Sequence, residues 1–279
     1  MVKSEGKVAG KVAFVTGAGR GQGRSHAVGL AEQGADIIAI DVCEQIETAH
    51  YPLSSLEDLK ETHRLVEATG RRIVSRQADV RDFASLAAAL EDGVSEFGRL
   101  DIVSANAGIS GQGGLHEIEE QAWADMLAVN LTGAWLTAKA SIPHIRAGGR
   151  GGSIIMTGSA AGLKPYEWCG HYNVSKAGLV SLMKTLALEL AQDWIRVNAI
   201  MPTAVNTPMI QNDDFYHLYR PDLEKPTADD LHGLMDVNAL PLKWIEPIDV
   251  TRTLLYLASD DSRYVTGVAL PVDAGASTK

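Results

Sequence analysis

Lys11-Val-Ala-Phe-Val-Thr16-Gly17-Ala-Gly19-Arg-Gly21-Gln-Gly23, continued by a helical pattern through Gln33, decides the fold. The β-branched run reads as a strand, and it feeds without a break into a glycine loop that opens a helix. Glycines let the backbone turn tightly and approach a pyrophosphate, whose charge is met by exposed N–H groups and the positive end of the helix. Gly17, Arg20, Gly21, Gln22 and Gly23 are therefore candidate cofactor contacts. Gly34 ends the helix, and Ala35-Asp-Ile-Ile-Ala-Ile40 is a second buried strand, followed by Asp41 and Val42.

Asp41 lies eighteen residues beyond Gly23, close to the ~20 expected of the acid that binds the adenosine ribose hydroxyls. A carboxylate there repels a 2′-phosphate, so it selects NAD over NADP. Arg20 pulls the other way, because a basic residue inside such a loop can serve a 2′-phosphate; the plainer alternative is a solvated loop side chain. Asp41 weighs more. It sits at a strand end with a direct hydrogen bond in reach, while the long stem of Arg20 can swing into solvent.

The rest of the chain continues the alternation of strand and helix that makes a doubly wound parallel sheet. Residues 43–56 form an insertion after the second strand, since such a strand usually enters its helix within a few residues. Ser55-Leu-Glu-Asp58 is a capping signature for a helix running to Gly70. Arg72–Gln77 is the third strand, and Asp79 and Val80 sit where a carboxylate can meet the adenine ring. Asp82 caps a helix over Phe83–Phe97, and Leu100–Ala105 is the fourth strand, ending in Asn106-Ala107-Gly108, small residues that let a cofactor pass close to the backbone. A long helix is expected from about Trp123 to His144, with Asn130 inside an apolar stretch. Asn130 is either a satisfied core amide or a side chain that kinks the helix locally or holds a water near Lys176.

Ser153–Met156 is the fifth strand, and beyond it comes Thr157-Gly-Ser159-Ala-Ala-Gly-Leu-Lys-Pro-Tyr-Glu-Trp-Cys-Gly-His-Tyr172-Asn-Val-Ser-Lys176. On a helix opening at Tyr172, Lys176 lies one turn further on the same face. Its ammonium favours the phenolate of a Tyr that otherwise titrates near ~10. Ser159, in the loop after the strand, can hydrogen-bond a substrate oxygen. A Tyr with Lys four residues later is more often a surface pair, so the spacing becomes specific only beside a nicotinamide site. Of the seven Tyr residues, Tyr172 alone has this spacing to Lys; Tyr216, with Arg220 four later and Thr203 thirteen before, is a decoy, rejected because Arg stays charged and its segment reads as polar loop.

Arg196–Met201 is the sixth strand, leading to Pro202 and Thr203 and then to Val205 and Thr207, which are placed to touch the nicotinamide ring and its carboxamide. The segment of about 204–241, rich in turn signals, carries Met209, Ile210, Phe215, Tyr216, Leu218 and Tyr219 and reads as a lid. Pro247 opens the last helix, to about Ala258, and Val268–Val272 is the final strand.

The 279 residues are read as one α/β domain of ordinary enzyme composition, 46% hydrophobic and 22% charged. A formal charge of −10 argues against nucleic acid or an anionic membrane as partner. Cys43 and Cys169 do not suggest a disulfide framework, no Cys/His cluster has zinc-like spacing, and no metal is expected. Met1-Val-Lys-Ser-Glu-Gly-Lys7 has no apolar stretch for export, and no run approaches the ~20 apolar residues of a membrane span, so a cytoplasmic location is expected.

Thr16-Gly-Ala-Gly-Arg-Gly-Gln-Gly23, Asn106-Ala-Gly108, Asn130, Ser159 and Tyr172-Asn-Val-Ser-Lys176 together resemble the short-chain dehydrogenase/reductase family, over nearly the whole chain. The resemblance implies a Rossmann-type, doubly wound, seven-stranded parallel sheet, a homotetramer, and a site in which Tyr172 is the general acid/base. Ser159 would orient the substrate oxygen, Lys176 would hold the ribose and depress the Tyr172 pKa, and Asn130 would anchor a water relay. Tyr51-Pro in the insertion, Glu57-Asp-Leu-Lys-Glu-Thr62, Arg71-Arg72, Met201-Pro-Thr203 and Arg220-Pro-Asp222 resemble the carveol dehydrogenase-like, mycofactocin-associated subgroup. That likeness implies tightly held NAD, an external redox carrier, and an insertion that clasps the adenosine. Met201 stands where a His is expected before Pro-Thr, and Gly158 where a Ser is expected before Ser159.

The implied reaction is NAD-dependent interconversion of a secondary alcohol and its ketone. Apolar lid residues, with Trp168 and Ile109, point to a hydrophobic, terpenoid-like substrate. The rival is a non-catalytic NAD-binding redox sensor or scaffold, whose signature would be loss of Tyr172 or Lys176.

Overall fold

The computed structural model describes residues 6–231 and 237–279. Residues 1–5, on which the reading of the N-terminus falls, and 232–236, inside the expected lid, lie outside the described residues.

Seven strands form one parallel sheet in the order β3-β2-β1-β4-β5-β6-β7. In chain order they are β1 (Val12–Thr16), β2 (Asp36–Asp41), β3 (Ile73–Gln77), β4 (Ile102–Ala105), β5 (Gly152–Thr157), β6 (Ile195–Pro202) and β7 (Ala269–Val272). β1, β2 and β4 are buried along their whole length. Their near-continuous apolar runs are those of strands covered on both faces. The covering helices are α1 (Gly21–Glu32), α2 (Leu56–Glu67), α3 (Phe83–Phe97), α4 (Glu120–Leu127), α5 (Gly133–Gly148), α6 (Gly170–Glu189), α7 (Asp213–Tyr219) and α8 (Pro247–Ala258). One core packs Leu30, Leu59, Val66, Val250 and Leu254 from α1, α2 and α8 against the sheet; the other packs Leu86, Met126, Ile145, Leu179 and Met183 from α3–α6.

Local sequence sets the helix ends. The Ser55 hydroxyl accepts from Asp58 N at 3.2 Å while Asp58 Oδ2 accepts from Ser55 N at 2.9 Å, a reciprocal capping box. Asp82 caps α3 through Ala84 N at 2.9 Å, and left-handed Gly98 (φ 73°) ends it. The helix expected over Trp123–His144 is instead three pieces: α4, a π-helical turn over Ala128–Thr132, and α5. The π turn carries Asn130 and shifts the helical register there. The segment read as polar loop around Tyr216 is in fact helix α7, capped by Asn212, whose Oδ1 accepts from Phe215 N at 2.9 Å.

α1 lies close to α8: a Cβ on Gly29 would sit 2.5 Å from Thr251 Cγ2. In the same contact His26 is fully buried with Nδ1 2.8 Å from Thr251 Oγ1, and burial pushes its pKa down to about 3. The unfolded chain takes up this proton below its ordinary pKa of about 6.5, while the folded chain does not until about 3. The stability this group contributes is therefore present above pH ~6.5 and lost as pH falls toward 3. We expect urea denaturation at pH 5 to show a His26→Gln variant sparing about 2 kcal/mol of the acid-induced loss seen in the wild type.

Among the described residues no helix is long and apolar enough to cross a membrane, and no group of His, Cys, Asp or Glu is placed to hold a metal ion.

Candidate active site

The strand order reverses between β1 and β4, so the loops leaving them diverge and open a crevice at the carboxyl ends of the strands. Asn106 holds the crevice floor: its Nδ2 donates to Thr16 O at 3.0 Å, its N to Thr16 Oγ1 at 3.0 Å, and its Oδ1 accepts from Thr157 Oγ1 at 3.2 Å. β1, β4 and β5 are thereby tied at the ends that carry the site.

An open cleft occupies the crevice. Gly17, Arg20, Gly21, Gln22, Gly23, Asp41, Val42, Asp79, Val80, Asn106, Ala107, Gly108 and Thr207 line it. Its glycines cannot carry side chains. Gly17 has φ 66° and a Cβ there would sit 2.8 Å from Ala107 Cα, while one on Gly23 would sit 2.0 Å from Gly17 O. Gln22 Oε1 is buried without a hydrogen-bond partner among the described residues. A backbone cradle at the start of α1 with an orphaned acceptor beside it fits a dinucleotide.

Asp41 Oδ2 accepts from Gly19 N at 2.8 Å, and Oδ1 accepts from Cys43 N at 3.2 Å and from the Ser54 hydroxyl. A carboxylate has about four lone-pair sites, which leaves one for a ribose hydroxyl. Arg20 does not swing into solvent: its Nη2 donates to Pro52 O in the insertion, and desolvation by burial lowers its pKa. Asp79 is on the cleft wall, but Arg81 engages its carboxylate through Nε at 2.8 Å and backbone N at 2.8 Å. It therefore meets an adenine ring as one half of an ion pair.

A second cleft adjoins the first and shares Gln22, Thr207 and Met209 with it. Ser159, Tyr172, Pro202, Thr203 and Val205 line it, together with Met209, Ile210, Phe215, Leu218 and Tyr219 from the segment after β6. Ile109 belongs to the first cleft, and Trp168 lines neither. At Trp168 a left-handed backbone (φ 63°) leaves the ring 58% exposed, so it does not contribute to the apolar wall as the sequence led us to expect. The decoy is disposed of by contacts rather than by loop character: the Tyr216 hydroxyl donates to Gln211 Oε1 at 2.5 Å, and Arg220 pairs with Asp222 at 2.8 Å.

Tyr172 and Lys176 sit one turn apart on α6, with Lys176 Nζ 5.6 Å from the Tyr172 ring centroid. Nζ is buried and donates to Thr157 O at 2.9 Å, leaving two of its three N–H groups free among the described residues. Burial acts against charge at both groups: it pushes the Tyr172 phenol up to about 12, against the lowering effect of its hydrogen bond with Ser159, and pushes Lys176 down to about 8. With these residues alone, Lys176 therefore does not bring the phenol below its ordinary value. Desolvation outweighs the Ser159 hydrogen bond, and a further positive charge beside the phenol would favour its ionised form.

Asn130 does two jobs with one amide. Oδ1 accepts from Ile109 N at 2.8 Å and Nδ2 donates to Ile109 O at 2.9 Å, with Ser175 Oγ at 3.3 Å. Its side chain thus fixes the loop after Gly108 against α6. The reading of a satisfied amide and that of a local helix distortion both describe it.

Met201 and Gly158 are one feature. A Cβ on Gly158 would lie 2.4 Å from Met201 Sδ, so the thioether fills the space that a side chain at 158 would take.

Sequence reading expected the insertion over the adenosine through the resemblance but did not name the residues by which it lines the first cleft, Ile46, Tyr51, Leu53 and Ser54. The Tyr51 hydroxyl accepts from Ser110 N at 3.1 Å. The available signal was Ile46, Tyr51 and Leu53, large apolar residues in a stretch with no helix or strand period.

A seven-stranded doubly wound sheet, a glycine cradle at its switch point and a Tyr–Lys pair beside a Ser define a class, and the chain belongs to the short-chain dehydrogenase/reductase family. The family model described as enoyl-(acyl carrier protein) reductase matches residues 17–277. The chain is 52% identical over 275 residues to (-)-trans-carveol dehydrogenase of Rhodococcus erythropolis, covering 98% of this chain and 99% of that one. It superposes on the crystal structure of carveol dehydrogenase from Mycobacterium avium in complex with NAD with a TM-score of 0.97, at 53% identity and covering 98% and 100% of the two chains. A short-chain dehydrogenase from Mycobacterium paratuberculosis bound to NAD gives a TM-score of 0.91 at 42% identity, covering 98% and 100%.

Proposed function

We propose that the chain interconverts a hydrophobic, terpenoid-like secondary alcohol and its ketone with NAD. The observation that carries this reading is the presence of Ser159 and Tyr172 on the wall of an apolar cleft that opens onto the glycine-lined one at Gln22, Thr207 and Met209. The similarity to NAD-bound carveol dehydrogenase supports it.

Gly17, Arg20, Gly21, Gln22 and Gly23 would hold the pyrophosphate, Asp41 and Val42 the adenosine ribose, Asp79 and Val80 the adenine, and Asn106, Ala107 and Gly108 the cofactor's path across the sheet. Pro202, Thr203, Val205 and Thr207 would bound its nicotinamide end. NAD bound there supplies the hydride acceptor and, when oxidised, the positive charge that the Tyr172 phenol lacks. Ser159 donates to the substrate oxygen. The Tyr172 phenolate takes the hydroxyl proton as the carbinol C–H pair leaves; in reduction the phenol returns that proton. Lys176 uses its two remaining N–H groups on the nicotinamide ribose and favours the phenolate. Asn130 keeps the loop at Ile109 in register with α6. These are orientation and electrostatic effects, the terms that dominate such transfers.

The segment at about 204–241 acts as the lid over the substrate, and the insertion at about 43–56 as a clasp over the adenosine. Support for the clasp comes from Tyr51 and Ser54 on the cleft wall and from Arg20 held by Pro52 O. A clasped cofactor that is not exchanged requires an external redox carrier to reoxidise it. Exposed Trp135, Val174 and Leu188 on α5 and α6 support burial against further copies, in a homotetramer. The sensor or scaffold reading is not favoured, because Tyr172 and Lys176 are both present beside the cleft.

The test is the absorbance of freshly purified protein before and after a hydrophobic secondary alcohol is added without free NAD. Appearance of the reduced-nicotinamide band is the expected result. Protein that carries no cofactor and needs added NAD for every turnover would remove the clasp and keep the dehydrogenase; no band under either condition would remove both.

A further inference from the structure

We propose that the substrate cleft contains a second polar subsite, formed by the phenols of Tyr166 and Tyr219, that takes a second oxygen function on the alcohol. The preferred substrates are then apolar rings bearing two oxygens, diols or hydroxyketones, rather than simple alcohols. This rests on the alcohol-dehydrogenase reading above and extends it to the far end of the substrate.

Tyr hydroxyls that leave water normally find a partner. Tyr51 meets Ser110 N, Tyr216 meets Gln211 and Tyr172 meets Ser159. Tyr166 and Tyr219 also line the substrate cleft; among the described residues neither hydroxyl has a protein hydrogen-bond partner, and neither is sealed from water, so both are open to a ligand. Both phenols are desolvated enough for burial to push their pKa values up, and they lie near enough to each other and to Cys169 for their charges to interact. Tyr172 feels Tyr166 in the same way, so the subsite belongs to the reacting end's own cavity.

The two rings are held in place. Asn173, the neighbour of Tyr172 on α6, clamps the Tyr166 backbone from both sides: its Nδ2 donates to Tyr166 O at 2.7 Å and its Oδ1 accepts from Tyr166 N at 3.4 Å. Tyr219 meets Phe215, one turn before it on α7, in a tilted ring contact at 5.3 Å between centroids. The position of Tyr166 is therefore set relative to Tyr172, and Tyr219 lines the same cleft from α7. Met209, Ile210, Leu218 and Val237 form an apolar part of the remaining wall, which also carries Ser110, Gln112 and Glu167. In such a wall two unpaired phenols discriminate strongly, because a methyl placed against them leaves them unpaired while a hydroxyl or carbonyl satisfies them.

The test compares each ring isomer of cyclohexanediol with the methylcyclohexanol that carries a methyl in place of the second hydroxyl, on the NAD-loaded protein. We expect at least one diol to be preferred over its methyl partner by about tenfold in kcat/KM. In Tyr166→Phe, Tyr219→Phe and the double variant that preference falls to within about twofold. The same ratios are read as dissociation constants by calorimetry, so an absence of turnover, which would count against the dehydrogenase reading, still leaves the preference measurable. A wild type that favours the methyl compound in every pair, or a double Phe variant that retains the diol preference, would overturn the subsite.

Discussion

Replacing Tyr172 by Phe lowers single-turnover oxidation of a hydrophobic secondary alcohol by about 10³-fold, the middle of the range for loss of a general acid/base, and leaves NAD affinity within about twofold. The substitution removes one oxygen and keeps the ring that packs against the core. Stability should change little, since that hydroxyl opens onto the cleft and its partner Ser159 keeps a contact to Ala161 N at 3.1 Å. Loss of rate without loss of cofactor or of fold assigns the effect to the proton. A fall of similar size in NAD affinity would instead make the residue a cofactor contact.

Replacing Asp41 by Ala costs about 2 kcal/mol of NAD affinity, roughly thirtyfold, as expected for one charge-assisted hydrogen bond to a ribose hydroxyl. The carboxylate also holds Gly19 N, Cys43 N and the Ser54 hydroxyl, so some loss of stability accompanies the change. Selectivity separates the two effects. Removing a negative charge from beside the 2′ position should cut the preference for NAD over NADP by at least tenfold, whereas simple loosening of the loop would weaken both cofactors alike. Equilibrium titration of each cofactor, followed by protein fluorescence, reads the ratio.

Much of the architecture was legible because strand and helix carry different hydrophobic periods and their ends carry specific residues. Val12–Thr16 followed by glycines could be little other than the first strand of a dinucleotide fold, and Ser55, Asp82 and Pro247 each announced a helix start that the structure places there. Where the reading failed, a long-range contact decided. Within Trp123–His144 the polar Asn130 marked a distortion, but not its form, a π turn over Ala128–Thr132, nor the partner of its amide, Ile109. Arg20 looked solvated because its acceptor, Pro52 O, is supplied by an insertion whose path has no periodicity. Tyr216 looked like loop because α7 is short and polar on its outer face. Candidate site residues were nameable from spacing, but their electrostatics were not. That burial raises Tyr172 and lowers Lys176 follows only from how deeply α6 sets them.

The most direct measurement of the central claim is the pH dependence of single-turnover alcohol oxidation by the NAD-loaded protein. Because the phenol must lose its proton before it can take the substrate's, the wild-type rate should rise about tenfold per pH unit below the phenol's pKa, and the Tyr172→Phe rate should be flat. A Tyr172→Phe variant that kept the wild-type slope and rate would show that the proton leaves by another group.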